Sequence, residues 1–207
     1  MAAADVPPVE AESYRILRSR IDLSHLPPLT RAVTERVVHA TADFDYATDL
    51  VCDEGTLVAA AAALADGAPV VADVAMVAAG ITPRRAICRM GDSLTERLAR
   101  VTGITRAAAA VRLAFSDAGP GAVWVVGCAV TAIEEIIQRE TEPALVIAMP
   151  VGFVGAAQAK QALRASGLPS LTNISEKGGC AVAAAAVNAL LRAGRENQAA
   201  GAGAGAG

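Results

Sequence analysis

Apolar positions recur with two periods along this chain. Tyr14, Ile16, Leu17 and Ile21 fall on a helical spacing over residues 10–21, with arginines between them. Leu26-Pro27-Pro28 interrupts, and a second helix is predicted from about Leu29 to His39 or slightly beyond, since proline is tolerated in a first turn. A third helix follows Asp53 and reads through Ala65, where Gly67 and Pro69 stop it. Short apolar runs then alternate with helical segments. Runs 69–74, 121–126, 144–149 and 170–174 read as strands, with 86–89 as a lesser candidate. Helices are predicted near 93–101, 105–116, 131–139, 155–166 and 179–192, and Ser93-Leu94-Thr95-Glu96 has capping-box spacing. The alternation predicts an α/β fold, a three-layer sandwich with a mainly parallel five-stranded sheet and helices on both faces. Ligands of such sheets sit beyond the carboxyl ends of the strands, where the winding reverses. That rule selects loops 73–81, 127–131, 150–155 and 175–180.

Composition narrows the function classes. The chain is 54% hydrophobic but only 3% aromatic, so its core is built from Ala, Val, Leu and Ile. The scarcity of rings argues against base-stacking nucleic-acid modules, and a formal net charge of −3 argues against a general polyanion binder. Cys52, Cys88, Cys128 and Cys180 are scattered without a C-x-x-C pair, and only two histidines accompany them. No metal site is expected, and each cysteine is expected to be a free, buried, small hydrophobe in a reducing compartment. The first ten residues lack the basic and apolar regions of a secretory signal, and no apolar run approaches the ~18 residues that span a bilayer. The expectation is a cytoplasmic protein without membrane or nucleic-acid partners. Residues 1–9 are expected to be flexible, 10–193 to form one domain, and 194–207, ending in a Gly/Ala repeat, to be a disordered tail.

The candidate chemistry centres on His39. An imidazole is the side chain whose ordinary proton equilibrium lies nearest neutrality. On a helix, Glu35, Arg36 and Asp43 share its face at i−4, i−3 and i+4. Either carboxylate would favour the imidazolium, and Arg36 could hold an anionic group beside it. A surface histidine in a charge-laced helix is the plain alternative. The other histidine, His25, is placed in a solvated loop.

In Ser175-Glu176-Lys177-Gly178-Gly179-Cys180, two glycines permit close backbone approach, and a helix start offers N–H donors to an anion. A routine strand-to-helix turn has the same composition, and the Walker A order is absent. Gly152 and Gly155 do not make the G-x-G-x-x-G string, so nicotinamide or flavin binding is not expected. Arg106 opens an Ala-rich helix and needs a partner, either a substrate carboxylate or an internal Asp. Ser175 lacks the G-x-S-x-G context of a nucleophile elbow. Acid–base chemistry through one histidine is the economical reading.

Read together, several strings resemble the precorrin-8X methylmutase (precorrin isomerase) family. They are Val38-His39-Ala40-Thr41-Ala42-Asp43-Phe44-Asp45, Asp73-Val74-Ala75-Met76-Val77-Ala78-Ala79-Gly80-Ile81, Thr105-Arg106, Met149-Pro150-Val151-Gly152-Phe153-Val154-Gly155, and Lys177-Gly178-Gly179 with the Ala-rich run after it. The resemblance spans residues 10–192, and Thr41-Ala42-Asp43-Phe44-Asp45 looks like the cobalt-dependent branch. It implies a homodimeric α/β isomerase of cobalamin synthesis that moves a methyl group from C-11 to C-12 of an anionic tetrapyrrole. It implies no separate cofactor, cobalt belonging to the substrate where present. By the same resemblance His39 is the proton donor and acceptor. Ser13, Arg36 and Arg106 are implied to contact substrate, and Lys177, Gly178 and Gly179, by charge and by the helix start, are the further substrate-binding candidates. The chain departs from the family pattern at Cys128 and Val130 (commonly Asn and Pro), Cys180 (commonly Ser) and Ala107 (commonly Ser). Those losses of polar side chains leave a non-catalytic tetrapyrrole binder or carrier as the alternative.

Overall fold

The computed structural model describes residues 7–139 and 141–204. Five strands, β1 (Leu50–Val51), β2 (Val70–Ala72), β3 (Val123–Val126), β4 (Leu145–Ala148) and β5 (Ser170–Asn173), form one sheet in the order β1-β5-β4-β3-β2. β2 to β5 are parallel, and β1 runs antiparallel to β5 with Leu50 opposite Asn173. Side chains alternate across the sheet. Val123, Val125, Leu145 and Ile147 enter one buried cluster, and Trp124, Val126, Val146 and Ala148 enter the other.

Helices cover both faces, as the α/β sandwich prediction requires. Three crossover helices lie on the Trp124 side: α7 (Arg106–Ala118), α8 (Val130–Gln138) and α9 (Ala156–Ala165), with α6 (Ser93–Thr102) packed on α7. The other face is covered by α1 (Pro8–Arg20), α2 (Pro28–Thr41), α4 (Glu54–Ala65), α5 (Ala75–Gly80) and α10 (Cys180–Ala204). α10 is central there, and its alanines let neighbours come close: a Cβ on Gly80 would lie 2.7 Å from that of Ala184.

The structure corrects the sequence reading in several places. The segment at 86–89 is not a strand; Ile87 makes one isolated parallel bridge to Val71. The fifth strand is β1, two residues at the edge. Helix α5 occupies the predicted loop 73–81, and the single turn α3 (Tyr46–Asp49) lies where no element is predicted. β2 to β5 are added in one direction with all three crossovers on one face, so the winding does not reverse among them. Right-handed crossovers require that placement. Asp92, not Ser93, is the N-cap residue of α6. Helix α1 already includes Pro8 and Val9 of the segment expected to be flexible, while residues 1–6 lie outside the described ones. Helix α10 runs on through Gly194, whose Cβ position lies 2.9 Å from the Ala61 carbonyl oxygen, to Ala204, where a disordered tail is expected. Residues 205–207 lie outside the described ones. Among the described residues no helix is long and apolar enough to cross a membrane.

Candidate active site at the carboxyl edge of the sheet

β1 starts opposite the end of β5, so α3 and the segment leading from α2 into it stand at the carboxyl edge of the parallel strands. Helix α2 ends at Thr41, with Ala42 in the left-handed conformation as its cap. His39 therefore projects from the last turn of α2 at that edge. It is half-buried.

The side chains that meet His39 come from α1. The Ser13 hydroxyl and His39 Nδ1 share a hydrogen bond of 2.9 Å. The Tyr14 ring stacks on the imidazole with centroids 4.8 Å apart and planes 11° from parallel. Among the described residues no hydrogen bond reaches Nε2. One ring nitrogen is thus held, and the other carries no such bond among the described residues. The charged neighbours expected from helical spacing are engaged elsewhere. Glu35 is gripped by both ends of the Arg18 guanidinium at 3.0 and 2.7 Å. Asp43 lies beyond the helix end and accepts from Lys177 at 2.7 Å.

Arg36 reaches back to α1, donating to Glu10 at 2.7 Å and to the Tyr14 hydroxyl at 3.4 Å. Burial works against its charge, but those contacts outweigh it and hold the guanidinium protonated more firmly than usual. Lys177 bridges Asp43 (2.7 Å) and Asp45 (2.5 Å), which raise its affinity for its proton. The sequence reading offers both cations to substrate carboxylates; here each is already paired within the chain. Arg106, exposed at the start of α7, donates to the Met90 carbonyl at 3.1 Å and has no acidic partner among the described residues.

Gly178 and Gly179 serve the chain's own backbone. A Cβ on Gly178 would lie 2.2 Å from the Met149 carbonyl oxygen, and its φ is +148°. Gly179, at φ +124°, donates its N–H to the same oxygen at 2.7 Å. The loop opening α10 is therefore closed tightly onto the loop after β4, and the close approach the glycines permit is to Met149.

Sequence reasoning assigned no role to five side chains at this edge, although Asp73 opens a loop it selected. Tyr14 is one; its place beside Ser13 was the only signal. Asp73 follows β2 and accepts the amides of Gly127, Cys128 and Ala129 at 3.2, 2.8 and 2.9 Å, tying the ends of β2 and β3 together. Burial pushes its pKa up despite these donors. Asp49 and Asn173 join α3 to β5 (Nδ2 to Oδ2, 2.8 Å), and Lys160 lies buried behind them. All four cysteines are unpaired, and none is fully buried as expected: Cys128 is exposed, and Cys52, Cys88 and Cys180 are half-buried. Ala107 is buried in the cluster that packs α7 against the sheet.

The rim is apolar. Phe153 and Val154, 95% and 91% exposed, extend from the loop after β4, with Met76, Val151 and Ile174 also exposed. Hollows of about 420 Å³ beside the α1–α2 connection and about 90 Å³ between α4 and α10 lie away from His39. His39 lines neither hollow, and the carboxyl edge with its exposed apolar side chains is the shelf on which the ring stands. Among the described residues no group of three or more His, Cys, Asp or Glu side chains is arranged to hold a metal ion.

Comparison with known proteins gives this arrangement a family. The model of the family described as precorrin-8X methylmutase matches residues 8–193. The cobalt-precorrin-8 methylmutase of Methanothermobacter thermautotrophicus is 38% identical over 92% of this chain and 94% of its own. The precorrin-8X methylmutase of a Sinorhizobium species is 37% identical over 88% and 92%. The crystal structure of precorrin-8X methylmutase from Thermus thermophilus superposes with a TM-score of 0.81 at 32% identity, over 91% of this chain and 98% of that one. The match runs through α1, the His39 helix, every strand and α10 as far as residue 193, and the chain belongs to the precorrin-8X methylmutase family.

Proposed function

We propose that this isomerase moves the C-11 methyl group of precorrin-8X, or of its cobalt complex, to C-12, giving hydrogenobyrinate or cobyrinate, with His39 as general acid and base. The observation that carries the reading is the pairing of Ser13 with His39 Nδ1 under the Tyr14 stack. A hydroxyl can donate to Nδ1 or accept from it, so both protonation states of the ring keep their orientation while Nε2 is left to exchange a proton with the macrocycle. The shift is intramolecular and calls on no nucleophile. Protonating the conjugated ring system makes the migrating bond easier to break, and such help is worth about 10²–10⁴ in rate. Holding the macrocycle still against the shelf adds to that. No separate cofactor enters the proposal; cobalt, where present, arrives with the substrate.

Arg106, with no acidic partner among the described residues, is a cation available to a substrate carboxylate, and Ser13, Arg36, Lys177, Gly178 and Gly179 complete the proposed substrate contacts. The exposed Phe153 and Val154 rim favours a homodimer in which a second copy covers the shelf. The proposed setting is the cytoplasm. Relatives of both names match at nearly equal identity, so the test offers purified protein metal-free and cobalt-bound substrate and follows the visible spectrum. Conversion of one or both is expected, with a loss of 10²-fold or more in His39→Ala. Wild-type turnover by that variant would sink the proton-transfer role, and binding without spectral change in the parent protein would favour the carrier.

A further inference from the structure

Lys160 is wholly buried, yet none of the proposed chemistry uses it. Its ammonium donates to Asn173 Oδ1 at 2.8 Å, the Ser175 carbonyl at 2.6 Å and the Lys177 carbonyl at 2.9 Å. Three N–H groups thus meet three acceptors, two of them backbone oxygens of the loop that opens α10. Asn173 closes the same knot, its Nδ2 donating to the Lys177 carbonyl at 2.9 Å and to Asp49 at 2.8 Å. Asp49 in turn accepts the amides of Ile174 and Ser175 at 3.0 and 2.8 Å and the Ser175 hydroxyl at 2.7 Å. The loop is wrapped around a buried cation, its carbonyls turned inward. That fold sends the Lys177 side chain out to Asp43 and Asp45 and presses Gly178 against Met149.

We propose that Lys160 is a positioning residue for the substrate site, holding the 174–179 loop in its binding shape only while its ammonium satisfies all three acceptors. A neutral amine keeps two N–H groups and turns a lone pair toward the third acceptor, which leaves a buried oxygen unsatisfied. Burial pulls the Lys160 pKa down to about 8; Asp49 and Glu176 support the charge, and Arg164, one turn along α9, opposes it. β5 brings no titratable group to this contact, and on α8 the Glu135 carboxylate is held by Arg112 and Arg139. The brace therefore releases within the range in which the enzyme can be assayed.

The inference rests on the methylmutase reading for its ligand, and the test separates the two. Affinity of the full chain for the corrinoid product is measured by absorbance from pH 7 to pH 9. With the competent fraction set by Lys160, the dissociation constant is expected to rise about tenfold over that interval. In Lys160→Met it is expected to be raised at pH 7 and flat with pH, which also separates Lys160 from the thiols nearby. Should that variant not fold, amide exchange of the parent decides, corrected for the intrinsic effect of pH. Protection over 174–180 is expected to fall between pH 7 and pH 9 while β3 and β4 stay protected. A parent affinity constant within twofold, or a folded Lys160→Met that binds as the parent does, overturns the proposal and leaves Lys160 a structural residue. If the parent neither binds nor converts corrinoid at pH 7, the methylmutase reading fails. Exchange in the loop then decides the brace alone, unchanged protection overturning it.

Discussion

Gly178→Ala tests how the candidate site is closed. The added Cβ would stand 2.2 Å from the Met149 carbonyl oxygen and 2.9 Å from the Pro150 carbonyl oxygen. Both are backbone atoms, so no rotamer change relieves the overlap, and one loop must move by about 0.8 Å to restore even the 3.0 Å limit of real contacts. Overpacking of this kind costs about 1–3 kcal/mol. The φ of +148° adds strain of about 1–3 kcal/mol for any residue with a side chain. The hydrogen bond from Gly179 to Met149 shifts with the loop, at about 0.5–1.5 kcal/mol. Gly152→Ala is the internal control, because its φ is +149° but nothing lies within 4 Å of the new Cβ. Thermal unfolding of the two variants isolates the collision from the strain. Gly178→Ala is expected to lose about 2–4 kcal/mol more than Gly152→Ala, which at about 2–4 °C per kcal/mol for a domain of this size separates their Tm values by about 4–16 °C. Equal Tm values within about 2 °C would refute the account of a loop locked on Met149.

Other outcomes follow from the same geometry. Ser13→Ala removes the hydroxyl from Nδ1 and is expected to lower kcat about 2–10-fold with little change in Tm, since a net hydrogen bond is worth about 0.5–1.5 kcal/mol; an unaltered kcat would show that the imidazole is oriented by the Tyr14 stack alone. The Asp49 pKa lies below its ordinary 3.8, burial being outweighed by the donors from Asn173, Ser175 and Ile174. A depressed carboxylate stabilises the fold fully above its unfolded value, and that contribution drains away as pH falls below about 3.8 through the folded value. Urea unfolding of Asp49→Asn is therefore expected to show lower stability than the parent at pH 7 and a shallower loss below pH 4; parallel curves would exclude Asp49 from the acid limb. Phe153→Ser is expected to weaken self-association in sedimentation and to lower turnover with it, whereas a parent-like association constant would remove this rim from the proposed dimer contact.

The sheet was legible because its strands are short apolar runs punctuated by Gly and Pro, and both their faces are buried. β1 was not legible, since two residues carry no period; it exists because Asn173 and Asp49 hold that edge. α5 has no polar face, and the run Ala75-Met76-Val77-Ala78-Ala79-Gly80 hides its helical period inside a continuous apolar stretch. At the site, spacing named His39 and its helix but gave it the wrong neighbours. Glu35 pairs with Arg18, 17 residues away, and the helix ends before Asp43 can share its face. The same limit hid Lys160. In Ala156-Ala157-Gln158-Ala159-Lys160-Gln161 a lysine reads as a solvated helix position, and only the return of β5 buries it. Local pattern fixes which residues share a face, while partners for charge are chosen by tertiary approach.

The pairing of Arg36 and Lys177 bears on how an acidic chain can hold a polyanion. Both cations are joints of the fold: Arg36, through Glu10, ties α1 to α2, with Arg192 of α10 also 3.6 Å from that carboxylate, and Lys177 ties the segment after α2 to the loop before α10. An incoming substrate carboxylate can replace an internal one and leave the cation paired, at a cost set by how well water takes up the displaced carboxylate. Asp45 is the partner that can leave at least cost, its side chain being 76% exposed against 31% for Asp43. On the proposed reading Lys177 can then hold a substrate carboxylate and Asp43 together, keeping the tie between the segment after α2 and the loop before α10. Recognition of the anion on these terms needs no basic surface, which agrees with a net charge of −3.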